Sequence, residues 1–472
     1  MAKHPTVGGT RDQAGRHQDP MRASDLITAV VDAGLGNSSY VVDLGDGRAL
    51  VIDPERDPTP YLRAAAKDTG RIAYSAETHL HADFVSGSRE LAANGAQILA
   101  AAAGHSEFPH RGLDDGEEVD LGGLTLRALA TPGHTPEHLS YLLLDGVAPI
   151  ALFSGGSLLV GSVARTDLIA PEQTERLARE LWRSVRERIL TLPDDLPVYP
   201  THGAGSFCSA PAGGERTTTV GAEKAANVLL AAPDEDAFVK LLLEGLGTYP
   251  PYFTRLREVN RRGPAVYGPE PPALARLDAP TVRRRVADGA VIVDVRPFTA
   301  YAESHIPGSL SIELRDQFAT WLGWLVEEGR PIVFVLDRDQ DRAEVVRQAL
   351  NVGYERLEGE LPGGMASWRS AGFEDSRITL VPAAGAIGTI VDIRQAVEFA
   401  AGHIPGALNA ELGSVDHAAL PRGPLTVMCG HGERAMSAAS VLEATGRRDV
   451  AVMQGGPTDW ASAAGRPLEI GR

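Results

Sequence analysis

The 472-residue sequence holds only two cysteines, Cys208 and Cys429. Two thiols so far apart leave little room for a disulfide framework, and a reducing, cytoplasmic setting is expected. Positive charge is also in deficit: 45 Lys and Arg stand against 62 Asp and Glu, a formal net charge of −17. That balance argues against a general nucleic-acid surface and suits a protein handling small molecules. No apolar run is long enough to span a bilayer, so no membrane partner is expected. Met1 to Pro20 is polar and has no apolar signal-peptide core. It reads as a disordered tail, with Met21 as an alternative start.

What is present begins with an internal repeat. The run Val291-Ile292-Val293-Asp294-Val295-Arg296, then His305-Ile306-Pro307-Gly308, recurs as Thr389-Ile390-Val391-Asp392-Ile393-Arg394, then His403-Ile404-Pro405-Gly406. Each copy later carries a Gly-Gly and a Trp: Gly363, Gly364 and Trp368, then Gly455, Gly456 and Trp460. Two copies of one plan mean two domains of one fold. In the second copy an apolar stretch, 425–428, leads into Cys429-Gly430-His431-Gly432-Glu433-Arg434 and a helix-like stretch, 435–445. A cysteine between a strand end and a helix start, with glycine amides and an arginine nearby, is placed to be a thiolate. Alone it would read as a buried structural residue; the repeat around it turns the reading toward reactivity.

These signatures resemble rhodanese, the sulfurtransferase family, over roughly residues 275–472. The resemblance implies a loop, Cys429 to Arg434, that holds transferred sulfur. Arginine-closed phosphatase loops are similar but one residue longer, enough to surround a phosphate. Cys429 and Arg434 are the catalytic candidates, with Gly430, His431, Gly432 and Glu433 binding substrate; His431 and Glu433 are expected to point outward. Asp392, Arg394 and His403 read as an ion pair and a packed turn. In the first copy the same place reads Asp337-Arg338-Asp339-Gln340-Asp341-Arg342. A carboxylate cannot accept sulfane sulfur, so that unit is expected to be silent, serving as a packing partner or docking surface.

The preceding residues alternate short strands (28–31, 40–44, 49–52, 125–128, 139–144, 150–153) with helical stretches (60–67, 86–94), a layered α/β plan. Loops after strands carry metal-ligand types: Thr78-His79-Leu80-His81-Ala82-Asp83-Phe84, Thr131-Pro132-Gly133-His134-Thr135, Phe153-Ser154-Gly155-Gly156-Ser157 and Thr201-His202-Gly203-Ala204-Gly205-Ser206. Histidines converging from separate strand ends are how imidazole metal sites are built. The set resembles the metallo-β-lactamase fold, in its persulfide dioxygenase and glyoxalase II branch. With the two rhodanese units, the whole resembles bacterial persulfide dioxygenase–rhodanese fusions.

That family resemblance implies a mononuclear iron held by two histidines and one aspartate, which oxidises a low-molecular-weight persulfide. The histidines fall on His79 and His134, but the aspartate falls on Gly156, and Phe84 replaces the last histidine of the His-x-His-x-Asp-His loop. Losing the carboxylate removes the anionic ligand, and hydrolytic glyoxalase chemistry is not expected. Three imidazoles, His79, His81 and His134, remain for one iron or zinc ion, and no cofactor is otherwise implied. Cys208 reads as a small buried hydrophobe or as a sulfur relay. The run Tyr249-Pro250-Pro251-Tyr252-Phe253 serves either substrate stacking or domain packing.

The expected fold is α/β: a metallo-β-lactamase αββα sandwich followed by two rhodanese-like α/β domains. The expected bounds are a tail 1–22, the sandwich 23–262, a linker 263–274, a silent rhodanese-like domain 275–378 and an active one 379–472. The expected function is sulfurtransfer through a Cys429 persulfide. An iron-dependent persulfide dioxygenase tolerating Gly156 and a non-catalytic sulfur carrier or sensor are the alternatives. Expected partners are thiosulfate or glutathione persulfide as donor and a thiol acceptor; self-association is left open.

Overall fold

A computed structural model of the chain describes residues 22–68, 70–208 and 214–471. The tail expected over 1–22 lies, up to residue 21, outside the described residues. Beyond it, six strands pair in chain order from Ile27–Asp32 to Arg111–Leu113, antiparallel at first and parallel from Arg48–Ile52 onward. Asn37–Asp43 and Arg48–Ile52 are buried almost throughout, because one face meets a second sheet and the other a helix layer.

The second sheet also has six strands, centred on Leu139–Asp145 and Ala148–Gly155. Tyr40, Leu50 and Ile52 from the first sheet interleave with Leu126, Tyr141, Leu143 and Phe153 from the second. Helices Thr59–Asp68 and Ser88–Ala93 cover the outer face of the first sheet. Thr174–Ser184 covers the second with Leu177, Ala178 and Leu181, the apolar stripe of an amphipathic helix. The result is the helix–sheet–sheet–helix layering expected, and the metal-ligand loops leave the sheets at one end of it.

Two smaller parallel sheets follow. The first orders Leu310–Ser311, Val291–Asp294, Ile332–Val335 and Leu357–Glu360. The second repeats that order with Leu408–Asn409, Thr389–Asp392, Leu425–Met428 and Val450–Gln454, and adds Thr379–Pro382 at its edge. Ile332–Val335 and Leu425–Met428 are buried at every residue, which is why they read as continuous apolar runs. The repeated aspartates share one register, Asp294 opposite Val335 and Asp392 opposite Met428. Each is forked by its arginine, at 2.6 and 2.7 Å. His305 stacks on Tyr301 and His403 on Phe399.

The first of these units packs on both of its neighbours. A Cβ on Gly323 would overlap the Tyr252 ring, so only glycine admits that ring there. The Tyr252 hydroxyl donates to the Asp83 carbonyl at 2.9 Å, and Thr320 Oγ1 to the Gly34 carbonyl at 3.1 Å. On the other side, His305 Nε2 lies 2.7 Å from Glu443 of the second unit, and Ser437 Oγ donates to the Ser311 carbonyl. One apolar cluster runs through all three parts, from Phe84 and Cys208 through Phe318 and Leu322 to Val427 and Cys429.

Candidate functional sites

Cys429 stands directly after the buried strand Leu425–Met428, and helix Glu433–Ala444 starts four residues later. The turn between them depends on glycine. Gly432 has φ 133°, and a Cβ there would meet the Phe298 ring at 2.9 Å. The Gly432 N–H points at the cysteine Sγ, 3.1 Å away, so an amide at the helix start supports charge on sulfur. The cysteine is only 1% exposed. His431 is exposed, as expected, whereas Glu433 is held by Arg315 of the first unit at 3.4 Å. Its expected outward pose is therefore corrected by a partner in another domain.

Arg434 also differs from expectation. Its guanidinium donates to both Glu398 oxygens, at 2.8 and 2.9 Å, and lies 5.8 Å from the centre of the Trp321 ring. The charge expected to face an anionic donor is thus shared with a carboxylate from the preceding helix, Ala396–Ala401. Glu398 carried no sequence signal, because the pairing is set by the fold.

The corresponding loop of the first unit is closed on itself. Arg342 Nη1 donates to the carbonyls of Asp337, Arg338 and Gln340 at 2.9, 3.2 and 2.6 Å, and its Nε to Glu360. Carbonyl oxygens, rather than amide hydrogens, face the centre of this loop, and a guanidinium occupies it. The loop carbonyls are thus taken up by the chain's own arginine.

In the sandwich, His79, His134 and His202 each offer a ligand atom, all within 4.8 Å of one another. All three are buried. His134 Nδ1 meets the Arg165 carbonyl at 2.7 Å, which can only accept, so this nitrogen carries the proton. His202 Nδ1 meets Asn37 Oδ1 at 3.0 Å, while the Asn37 amide donates to Asp83. Thr78 Oγ1 donates to Asp53 and therefore accepts from His79 Nδ1 at 2.8 Å. Burial, then the neighbouring imidazoles, hold His79 well below the ordinary histidine value and push His134 down to about 3.

His81, expected as a ligand with His79 and His134, falls in two other groups: its ligand atom lies within 4.8 Å of those of Asp53 and His79, and likewise of those of Asp83 and His202. Its Nε2 lies 3.1 Å from Glu77 and 3.3 Å from Asp53. Burial alone would lower its pKa, but the two carboxylates outweigh that and hold it up to about 10. His202, whose loop the sequence placed among those with metal-ligand types but outside the expected set of three, stands with His79 and His134 in one group.

Comparison with known proteins agrees with this architecture. A rhodanese-like domain model matches residues 278–371 and 381–463. A metallo-beta-lactamase from Staphylococcus aureus subsp. aureus COL is similar in structure, with a TM-score of 0.61 and 30% identity, over 71% of this chain and 98% of that one. The chain belongs to the fusion family joining a metallo-β-lactamase fold to rhodanese-like domains. Within its sandwich, it is 32% identical over 173 residues to the mitochondrial persulfide dioxygenase ETHE1 of Homo sapiens, covering 36% of this chain. It is 28% identical over 249 residues to a hydroxyacylglutathione hydrolase of Rhodopseudomonas palustris (strain BisB18), covering 47% of this chain and 93% of that protein. The chain spans 64% of the length of the human persulfide dioxygenase.

Around this pocket the loops are closely packed. A Cβ on Gly156 would fall 2.5 Å from His134 Cδ2 and 3.1 Å from the Ala164 Cβ, so the space next to Gly156 is filled by the His134 ring. Phe84 is fully buried and stacks on His81 at 4.2 Å, an apolar ring where a second ion would need a ligand. His138 is unavailable as a ligand, since its Nε2 accepts the Gly156 N–H at 2.9 Å. Cys208 is fully buried, and burial, then Asp83, push its thiol well above the ordinary value, the state of an inert cysteine. Tyr252 and Phe253 are packing residues, while Tyr249 sits 4.4 Å from the Arg165 guanidinium. No helix of the described residues is long and apolar enough to cross a membrane.

Proposed function

We propose that this chain is a sulfurtransferase of sulfide and persulfide metabolism, with Cys429 as its sulfur carrier. The thiolate attacks the outer sulfur of thiosulfate or of a glutathione-type persulfide. A new S–S bond forms on Cys429 as the donor's S–S bond breaks, and sulfite or the donor thiolate leaves with the electron pair. A thiol or cyanide acceptor then attacks the terminal sulfur, takes it away and returns Cys429 as thiolate. The Gly432 N–H supports the anionic sulfur, and the helix start adds positive potential. Arg434, tied to Glu398, is a positioning group at the loop rather than a free cation.

The single observation that carries this reading is the contrast between the two loops. One turns an amide to a cysteine; the other is filled by its own arginine. The similarity of the sandwich to a persulfide dioxygenase supports sulfur as the cargo. Turnover of thiosulfate with cyanide, and of glutathione persulfide with a thiol, is the test. Wild type should release thiocyanate and Cys429→Ser should not; equal rates in the two proteins would end the proposal.

If the histidine cluster holds a metal, His79, His134 and His202 are the residues for it, and such an ion would supply Lewis-acid polarisation of a bound sulfur or oxygen. Persulfide oxygenation is the second reading, favoured by the likeness to the human persulfide dioxygenase. Oxygen uptake with glutathione persulfide distinguishes it.

A further inference from the structure

Among the three buried imidazoles, His79 Nε2 lies 3.4 Å from His202 Nε2. Both Nδ1 atoms face oxygens that accept, so in the neutral rings both Nε2 atoms carry lone pairs. Two lone pairs at this distance repel unless a proton or a cation lies between them. His134 Nε2 is the third such atom, freed for the same reason by the Arg165 carbonyl.

The spacing is compatible with a metal ion, all three ligand atoms lying within 4.8 Å of one another. Nitrogen ligands about 2.0–2.1 Å from a tetrahedral zinc ion stand about 3.3–3.4 Å apart along each edge. The His79–His202 separation matches that edge. The outer contacts complete the pattern, because metal-bound histidines donate their second N–H to an oxygen that fixes ring and tautomer. Here those oxygens are the Arg165 carbonyl, the Asn37 side chain and the Thr78 hydroxyl. Asp83 Oδ2 also stands 3.3 Å from His202 Nδ1, a carboxylate one shell out from the ligands.

We infer that this chain carries a three-histidine site for a single zinc-class divalent ion, in which His202 replaces the missing carboxylate ligand and Asp83 supplies negative charge from behind it. The ligand set decides the ion. Neutral imidazoles bind zinc, copper, nickel and iron, and at one fixed site zinc binds more tightly than ferrous iron. Two histidines and one carboxylate form the set associated with ferrous oxygenases; three imidazoles leave the ion its full charge and one open position. Two further buried groups, Asp53–His79–His81 and His81–Asp83–His202, each share a histidine with this set, so they compete with it for one ion instead of adding an independent second site.

The test is metal binding by the full chain, independent of any turnover. Protein stripped by a chelator is titrated with cobalt(II) and then zinc(II), followed by visible absorption and elemental analysis, with far-UV circular dichroism of every variant. The expected result is one ion per chain, an intense visible cobalt band from a low-coordinate nitrogen site, and displacement of cobalt by zinc. His202→Ala should weaken zinc binding at least tenfold, and Asp83→Asn, which keeps the ring's oxygen neighbour, by roughly 10–100-fold. His81→Gln should bind as wild type does. The inference is overturned by less than one-tenth of an ion per chain after zinc loading, by unchanged binding in a folded His202→Ala, or by loss of the ion in a folded His81→Gln. Should His202→Ala unfold, unchanged binding in Asp83→Asn overturns it instead.

Discussion

Arg434 and Glu398 form a two-pronged ion pair beside the Cys429 loop, with both guanidinium nitrogens within 2.9 Å of the carboxylate. The pair is partly buried, so it is screened less than a surface bridge. An anionic sulfur donor entering the loop meets a cation already paired. Glu398→Gln removes the negative charge and leaves the guanidinium for the donor. The KM for thiosulfate is expected to fall roughly 3- to 10-fold, with a stronger dependence on ionic strength than in wild type. Steady-state kinetics at two salt concentrations check it, and an unchanged KM would show that the pair does not face the donor.

The silent loop makes a second prediction. Installing a thiol by Asp337→Cys should give no sulfurtransfer, because Arg342 still donates to three carbonyls of the loop and occupies its centre. The measurement is persulfide formation on the introduced thiol in a Cys429→Ser background. Sulfur loading there would mean that the missing cysteine, rather than the loop's inverted polarity, silences the unit.

Gly156 makes a third. The family's aspartate cannot simply be put back, since its Cβ would lie 2.5 Å from His134 Cδ2. Gly156→Asp is expected to cost about 1–3 kcal/mol through overpacking and to lower metal content. Thermal unfolding and elemental analysis of the variant read both effects. A rise in bound metal would show that His134 yields and the older ligand set reassembles.

The contact between the two rhodanese-like units responds to acid. Burial would raise the Glu443 pKa, but His305, Ser376 and Arg448 outweigh it and hold the carboxyl below its ordinary value. A depressed folded pKa contributes stability that is present above the unfolded value, about 4.5, and is lost as pH falls through the folded one. Wild type should therefore lose thermal stability below about pH 4.5 more steeply than Glu443→Gln. Parallel slopes in a melting series from about pH 6 to pH 3 would contradict this.

Much of this architecture was legible in the sequence for a physical reason. Val291–Asp294 and Leu425–Met428 are buried on both faces and so read as unbroken apolar runs, and the repeated Asp-x-Arg pair fixes one strand end in each unit. His79 and His134 were legible because each follows a strand end in a recognisable loop. The His202 loop was legible on the same ground, but its place beside His79 was not, because the two lie 123 residues apart and only the packing of the two sheets brings them together. The spacing of His81 from His79 suggested a shared ion, and the two do fall in one group, but the carboxylates that face His81, Asp53 and Glu77, could be found only from the fold. The same holds for Glu398, Arg315 and Arg342, whose charges matter at these loops through tertiary contact alone.

The most direct measurement is the intact mass of the protein after brief exposure to thiosulfate or glutathione persulfide, with peptide mapping of any added sulfur. The account predicts one extra sulfur atom on Cys429, released as thiocyanate by cyanide and absent from Cys429→Ser. Added sulfur on Cys208 alone, or thiocyanate release undiminished in Cys429→Ser, would contradict it.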